Sequence, residues 1–340
     1  MHNSPPVTYI FRKRVPGNFS IEQLFDALFT RCERSGASLH RLELPYVSTG
    51  IWSVVRNVWF VARRRNTTLL HITGDVHYAS LLCPFSRTIL TIHDCVAMQR
   101  GTGFKRFIMW MLWFWLPVRT AAAVVVVSEQ TRRDLLKTVA VRESKVRVIP
   151  NFVDPAFDFS VRPFPLAQPR VLHVGTAPNK NLQRVIAALK AIHCVLVVVG
   201  VLPDAVLEEL EASGILCENH VAVDHEAMVE LYRNADIISF PSTYEGFGMP
   251  IVEGQAVGRP VLTSDLDPMR SVAGPGGALF VDPLSVDAIR QGFRALMSDG
   301  ALRSRLVAAG RDNCRRFMLD AVAASYLDVY ETTRRHAPET

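Results

Sequence analysis

The chain has 340 residues, of which 49% are hydrophobic and 21% charged. This is enough apolar material for two domains with real cores, and it excludes a disordered chain or a disulfide scaffold. The net charge of +6 is unevenly divided, because residues 1–160 carry 21 Lys and Arg against 11 Asp and Glu, whereas residues 161–340 carry 17 against 21. The basic first half favours an anionic partner, either phospholipid or nucleic acid.

The six cysteines form no C-x-x-C pair and no set with zinc-ligand spacing, which favours reduced, buried thiols in a cytoplasmic protein. Residues 1–14 lack the apolar core of a signal peptide. The apolar run 107–118 is shorter than the ~20 residues that a membrane-spanning helix needs, and Pro117 and Arg119 interrupt it. The sequence therefore predicts a cytoplasmic protein without a transmembrane helix.

Short β-rich runs alternate with helical patterns along the chain. Strands are predicted, in chain order, at residues 7–11, 69–72, 88–92, 122–127, 146–149, 170–174, 195–199, 220–223, 237–240, 261–263 and 278–281. Most are continuous apolar runs, which is typical of parallel strands covered on both faces. Helices are predicted between them, among others at 20–35, 130–138, 182–191, 226–234 and 286–297. This alternation predicts an α/β protein with two doubly wound domains.

The proline-rich residues 154–168 have little periodicity and are predicted to be a linker. The predicted organisation is an N-terminal domain at 1–160, a second domain at 161–318, and a C-terminal helical segment at 319–340 that packs back on the first domain. The polar residues 332–340 are predicted to fray.

Residues 240–261 (FPSTYEGFGMPIVEGQAVGRPV) contain the most informative pattern. An apolar strand enters a glycine-rich turn, and Pro250 stands where a first helical residue is expected. Open α/β folds hold ligands at such strand–loop–helix junctions, where glycines allow close approach and helix-start amides attract anions. Glu245 in the loop and Glu253 one turn into the helix can face one pocket. The alternative is that both are solvated surface residues.

This junction resembles glycosyltransferase family 4, a group of retaining enzymes with the GT-B fold. The resemblance lies in a Glu-x7-Glu element, formed here by Glu245, Gly246, Phe247, Gly248, Met249, Pro250 and Glu253. Other segments resemble the family in the same order along the chain: residues 71–75, 91–94, 127–131, 149–151, 174–181 and 231–236. The resemblance extends over about residues 70–330 and is weakest in the first 65.

The resemblance implies a GT-B fold, with two Rossmann-like domains facing across a cleft. The first would bind the acceptor and the second a nucleotide-sugar donor. It implies transfer of a mannosyl or another hexosyl group to a saccharide or lipid-linked saccharide, with retention of configuration and without a metal or cofactor. Lys180 and the amides around Gly248 would hold the diphosphate, Glu253 the ribose and Glu245 the sugar. His93 would position the sugar or acceptor. Further donor contacts are expected at Gly17, Gly175, Gly246, Phe247 and Met249.

Three positions depart from the family pattern. Asn179 stands where many members have an arginine before the diphosphate-binding lysine, and Ser271 replaces a glutamate that is common in a later loop. The first loop, residues 12–17, offers only Gly17 in place of a Gly-Gly pair. Asp265 and Asp267 resemble a D-x-D metal motif, but they follow a strand of the donor domain, and the family needs no metal. We therefore interpret this motif as coincidental.

The basic first half, together with residues 104–106 and the aromatic run 107–115, predicts contact with an anionic membrane at the inner face of the plasma membrane, where a lipid-linked acceptor would lie. The alternative is that the aromatic run is a core helix. The chain has no nucleic-acid-binding motif, so nucleic acid is not an expected partner. Two other functions stay open, a nucleotide-sugar epimerase and an inactive sugar-binding homologue. By position alone, residues 199–202 and 221–225 are expected to recognise the base.

Overall fold

The computed structural model describes residues 6–14, 20–64, 69–95 and 103–336. The chain forms two compact units, one comprising Met1–Phe152 and Leu319–Thr340 and the other Val153–Met318. Each unit is built on one six-stranded parallel sheet, so the predicted α/β architecture with two doubly wound sheets is confirmed.

The first unit contains a sheet whose strand order is β2-β1-β3-β4-β5-β6. Its strands are β1 (Val7–Phe11), β2 (Leu39–Glu43), β3 (Leu69–Ile72), β4 (Thr88–Ile92), β5 (Ala123–Val126) and β6 (Val146–Val148). Its helices are α1 (Ser20–Arg34), α2 (Ile51–Ala62), α3 (Gly103–Trp110), α4 (Leu116–Thr120), α5 (Glu129–Thr138) and α13 (Leu319–His336). The central strands β1, β3, β4 and β5 are largely apolar on both faces, and one buried cluster packs against each side of the sheet.

The second unit contains a sheet whose strand order is β12-β11-β10-β7-β8-β9. Its strands are β7 (Arg170–Val174), β8 (Val195–Val199), β9 (Leu216–His220), β10 (Ile237–Phe240), β11 (Val261–Ser264) and β12 (Leu279–Val281). Its helices are α6 (Leu182–Leu189), α7 (Asp204–Ser213), α8 (His225–Asn234), α9 (Met249–Ala256), α10 (Met269–Ala273), α11 (Val286–Ser298) and α12 (Gly300–Asn313). The order reverses between β7 and β10, so this pair marks the switch point where such sheets bind ligands.

Two edge strands differ from the predictions. No apolar run in the sequence predicts β2, and the strand expected at 220–223 lies earlier, since β9 ends at His220. Both strands lie at a sheet edge and carry exposed polar residues, such as His40 and Arg41 in β2. The apolar runs that reveal central strands are therefore absent from them.

The boundary between the units also lies earlier than predicted, after Phe152 rather than after residue 160. The proline-rich segment belongs to the second unit because its side chains and carbonyls are bonded there. Arg162 forms an ion pair with the buried Asp236 at 2.8 Å, and the buried guanidinium of Arg259 donates to the carbonyl of Ser160 at 2.7 Å.

The aromatic run 107–115 is largely packed into the first unit. It begins in α3 and continues as a π-helix over Met111–Trp115. Phe114 is buried and Trp110, Trp113 and Trp115 pack against the core, whereas Phe107 is exposed. Most of this run is therefore a core helix, the alternative to a membrane contact that the sequence left open. Within the described ranges, no helix combines the length and the hydropathy that crossing a bilayer requires.

The C-terminal α13 belongs to the first unit, where its apolar face completes a buried cluster. The hydroxyl of Tyr330 donates to that of Tyr9 at 2.7 Å and lies 2.9 Å from Nδ1 of His71. Burial lowers the pKa of His71 to about 3, so its ring is neutral. A single hydroxyl therefore joins the C-terminal helix to β1 and β3.

We expect Tyr330→Phe to lower the free energy of unfolding of the first unit by about 1–3 kcal/mol, because it leaves buried polar partners unsatisfied. Urea unfolding followed by tryptophan fluorescence measures this, since all five tryptophans lie in that unit. Asp328→Asn, an exposed change on the same helix, is the control. Equal unfolding midpoints for the two variants would contradict the proposed link.

Candidate functional site

The loops after β7 and β10 meet at the switch point of the second sheet, and one buried amide joins them. Asn181, at the start of α6, has a left-handed backbone with φ 67°. Its Nδ2 donates to the carbonyl of Pro241 at 2.9 Å and to that of Pro283 at 2.7 Å. The loops after β7, β10 and β12 are therefore joined through this one side chain.

Lys180 and Glu245 form an ion pair between these loops. Nζ of Lys180 donates to Oε1 of Glu245 at 2.7 Å, and the two side chains are only 22% and 13% exposed. The same ammonium lies 4.8 Å from the centre of the Phe240 ring, a distance at which a cation is attracted to an aromatic face. A partly buried cation is thus held at the carboxyl end of β10.

Asn179, which departs from the family pattern, contributes to this arrangement. Its Nδ2 donates to the carbonyl of Tyr244 at 2.9 Å and lies 3.3 Å from Oε1 of Glu245. Its own carbonyl accepts from the backbone N–H of Thr243 at 2.8 Å. The neutral residue therefore fixes the loop that carries Glu245, but it adds no positive charge to the site.

Gly175 allows the lysine to approach the backbone. Its φ of 96° is one that residues with a side chain rarely adopt. A Cβ at this position would lie 3.1 Å from Cγ and Cε of Lys180, so a side chain here would displace the lysine stem.

Helix α9 begins beside the ion pair. Gly248 precedes its first residue, Met249, with φ 109°, and Pro250 occupies the first turn. The amides at a helix start lack intrahelical acceptors and attract anions. A Cβ on Gly254 would lie 2.6 Å from Cγ1 of Ile238, which shows how closely α9 packs on β10. This close packing brings the helix start next to the end of the strand.

Glu253 lies on α9 and pairs with a buried tyrosine of α8. The hydroxyl of Tyr232 donates to Oε2 of Glu253 at 2.5 Å. Burial raises the pKa of Glu253 to about 7, although the tyrosine and the charge of Lys180 act in the opposite direction. The carboxyl therefore changes its charge near neutral pH.

The remaining predicted donor contacts have different surroundings. Phe247 is buried and packs edge-to-face on Phe317 with ring centres 5.6 Å apart, so its side chain anchors the turn. Gly246 and Met249 are partly exposed beside it. Gly17 lies outside the residues that the structure describes.

His93 belongs to the first unit, where it follows β4. Its Nε2 donates to the carbonyl of Thr73 at 3.0 Å, which leaves Nδ1 as the acceptor of the neutral ring. Burial lowers the pKa of His93, so the neutral form is favoured. Arg12, after β1, forms ion pairs with the buried Glu22 and with Asp75 at 3.3 Å. The predicted residues of the second unit are thus close together, and His93 marks a strand end of the first.

The D-x-D motif lies after β11. Asp265 forms an ion pair with Arg270, and both side chains are about half exposed. Among the described residues, no cluster of three or more His, Cys, Asp or Glu side chains is arranged to bind a metal. Ser271, the other departure, donates to the carbonyl of Pro268 at 2.9 Å.

Two contacts near Glu253 had no clear signal in the sequence. In the sequence, Tyr232 is only one residue of a helix pattern, and its position three residues after Val229 on the buried face of α8 is the one available sign. Asp154 raises the pKa of Glu253 and forms an ion pair with His225 at 3.5 Å. Both partners come from segments distant in sequence, so only the fold reveals them.

Comparisons with known proteins identify relatives for most of the chain. Residues 156–313 match the family described as glycosyl transferases group 1, and residues 26–157 match glycosyltransferase family 4. Over 116 residues the chain is 40% identical to a phosphatidyl-myo-inositol mannosyltransferase of Mycobacterium tuberculosis, covering 32% of this chain and 31% of that protein. Over 120 residues it is 34% identical to a D-inositol 3-phosphate glycosyltransferase of Xylanimonas cellulosilytica, covering 35% and 29%. The chain thus spans about a third of the length of these relatives.

Solved structures show the same fold at low identity. A sucrose-phosphate synthase of Thermosynechococcus elongatus superposes with a TM-score of 0.79 at 19% identity, covering 96% of this chain and 98% of the other. HepE of Anabaena, solved with UDP and glucose, gives 0.76 at 14% identity, covering 96% and 100%. Because the two family matches together account for residues 26–313, the chain belongs to the group 1 glycosyltransferases (glycosyltransferase family 4), a family of transferase enzymes.

Proposed function

We propose that the protein transfers a sugar from a nucleotide-diphosphate sugar to a saccharide or lipid-linked saccharide, with retention of configuration. The second unit binds the donor and the first unit the acceptor. The observation that supports this best is the Lys180–Glu245 ion pair at the start of α9, where a cation, helix-start amides and a carboxylate lie at one strand end.

The ion pair suits binding of a diphosphate followed by its departure. An ammonium has three N–H groups, and Glu245 accepts one of them, so the others can donate to phosphate oxygens. The amides at the start of α9 add positive potential. Charge that develops on the leaving diphosphate is thus neutralised by groups already in position. We propose that this suffices without a bound metal.

The two glutamates have different tasks in this proposal. Glu245 has one oxygen bonded to Lys180, and the other can accept from a hydroxyl of the donor sugar. Glu253 is bonded through Oε2 to Tyr232, so Oε1 can accept from the ribose hydroxyls. The exposed side chains of Val201 and Val221, which follow β8 and β9, offer an apolar surface to the base.

His93 is proposed to orient the sugar or the acceptor. With Nε2 bonded to the carbonyl of Thr73, its Nδ1 can only accept a hydrogen bond, which matches a hydroxyl donor. Retention is proposed to follow from attack on the same face as the leaving phosphate, since we assign no side chain as a nucleophile.

Among donors we favour a mannosyl or another hexosyl nucleotide, because a relative 40% identical over 116 residues is named a mannosyltransferase. Together with the basic first half, this supports a role in cell-surface polysaccharide synthesis at the cytoplasmic face of an anionic membrane. A thermal-shift screen of UDP, GDP, ADP and TDP sugars selects the donor for the tests below.

We expect Lys180→Met and Glu245→Gln each to lower kcat about 10²–10³-fold, because each removes a group that neutralises or orients charge in the transition state. Product formation from the selected donor measures this. Lys190→Met and Glu208→Gln are matched controls on exposed residues of the same unit, and they should keep full activity. Near wild-type turnover in either site variant would refute the assignment.

Affinity for the donor should rise about tenfold between pH 6 and pH 8, because ionised Glu253 accepts the ribose hydroxyls better than the protonated form does. Calorimetric titration with an intact nucleotide sugar measures this, since its diphosphate has no proton to lose in that range. Glu253→Gln should bind weakly at both pH values. A wild-type affinity that does not change with pH would exclude the role of Glu253.

The same pKa predicts a change in stability. Because the folded pKa of about 7 lies above the ordinary glutamate pKa of 4.5, protonated Glu253 stabilises the fold fully below pH 4.5, and this contribution is lost as the pH rises through 7. The unfolding temperature of the wild type, relative to Glu253→Gln, should therefore fall between pH 5 and pH 8. A constant difference would show that the carboxyl is not buried as described.

A further inference from the structure

Helix α2 presents a large apolar surface to solvent. Ile51 and Trp52 are 79% and 77% exposed, Trp59 is 54% exposed, and Val55 is 41% exposed. Exposed apolar side chains are ordinary when scattered, but a contiguous patch with two tryptophans marks a surface that binds something.

The exposed apolar residues and the buried residues of α2 occupy two separate sectors of the helix surface. At 100° per residue, positions 51, 52, 55 and 59 fall within one sector of about 100°. Asn57, Val58 and Val61 fall in a separate sector, centred about 120° away, and are buried in the first unit. The fold therefore uses only one of the two apolar faces of α2.

The chain segment that carries this surface has charges of one sign. Between Glu43 and Asp75 the sequence contains no acidic residue, but it has four arginines. Arg56 and Arg63 lie beside the apolar sector, and their guanidinium groups are 5.5 and 5.3 Å from the rings of Tyr46 and Trp59. Arg64 lies 3.9 Å from the ring of Phe60. The aromatic surface is thus bordered by cations.

We propose that α2 docks the protein on an anionic phospholipid bilayer, with its exposed apolar face in the headgroup region and its arginines on lipid phosphates. Helices that lie in a membrane surface combine tryptophan and aliphatic residues on one face with arginine or lysine beside it. The one-signed charge favours anionic lipid over a protein partner, whose surface would carry both signs. The aromatic run 107–115 lacks such a face, since Phe107 is its one strongly exposed apolar side chain among those described.

Binding to lipid vesicles tests this without any sugar substrate, so its outcome is independent of the transfer reaction. Co-sedimentation should show binding to vesicles containing 30% phosphatidylglycerol and little binding to pure phosphatidylcholine. Trp52→Gln/Trp59→Gln and Arg56→Gln/Arg63→Gln should each weaken the partition coefficient about tenfold or more. Only the two arginine substitutions should weaken the dependence of vesicle binding on salt concentration.

Leu166→Gln/Leu284→Gln is the matched control, because these two leucines are 79% and 65% exposed on the second unit. It should bind vesicles as the wild type does. Circular dichroism of each variant establishes that the fold is kept.

Brominated lipids report insertion directly, because they quench tryptophans that enter the bilayer. Quenching should be strong in the wild type and weak in Trp52→Phe/Trp59→Phe, which retains an apolar face and should still bind. Equal vesicle binding by the wild type and both glutamine variants would overturn the proposal. The proposal would also be overturned if the wild type were a dimer in solution and the Trp52→Gln/Trp59→Gln variant a monomer, because the exposed face of α2 would then bind a second copy.

Discussion

The candidate site depends on the side-chain amide of Asn181. This amide is buried, and its two hydrogen bonds satisfy the carbonyls of Pro241 and Pro283 in loops after two other strands. A buried carbonyl without a partner is costly, so the three loops are fixed together. Lys180 directly precedes Asn181, and Glu245 follows Pro241 by four residues. The distance between Lys180 and Glu245 therefore depends on the contacts of Asn181, the residue after the lysine. The left-handed backbone of Asn181 turns the chain from the lysine into α6.

The ion pair and the burial of Glu253 together set the charge at the site. The positive charge of Lys180 is balanced by Glu245, and burial disfavours the ionised form of Glu253. The side chains at the start of α9 are therefore close to neutral before a ligand binds. In the proposed donor complex, a diphosphate would bring negative charge next to the ammonium of Lys180 and the amides at the start of α9. With Asn179 in place of arginine, the loop is held by neutral hydrogen bonds, and the one cation of this loop is Lys180.

Sequence alone predicted the central strands well, because each is a continuous apolar run covered on both faces. It failed at β2 and β9, whose exposed edges remove that pattern. Two local motifs predicted Glu245 and Glu253 on one side and Lys180 on the other, and the structure brings Lys180 and Glu245 into contact next to the helix that carries Glu253. Sequence alone could not assign Tyr232 as the partner of Glu253, since that pairing depends on how α8 and α9 pack. Local motifs therefore indicate the candidate site, whereas the protonation of Glu253 is set by tertiary contacts.

In the first unit, too, sequence composition cannot replace knowledge of the packing. Residues 107–115 and α2 are both rich in tryptophan and both adjoin basic residues, so composition gives them equal claims to a membrane contact. Packing separates them, because the π-helix turns its tryptophans towards the core whereas α2 turns Trp52 and Trp59 outward. The excess of positive charge in the first half is consistent with either segment. The choice between them depends on which apolar face the fold leaves uncovered, and α2 buries only one of its two apolar sectors within its own unit.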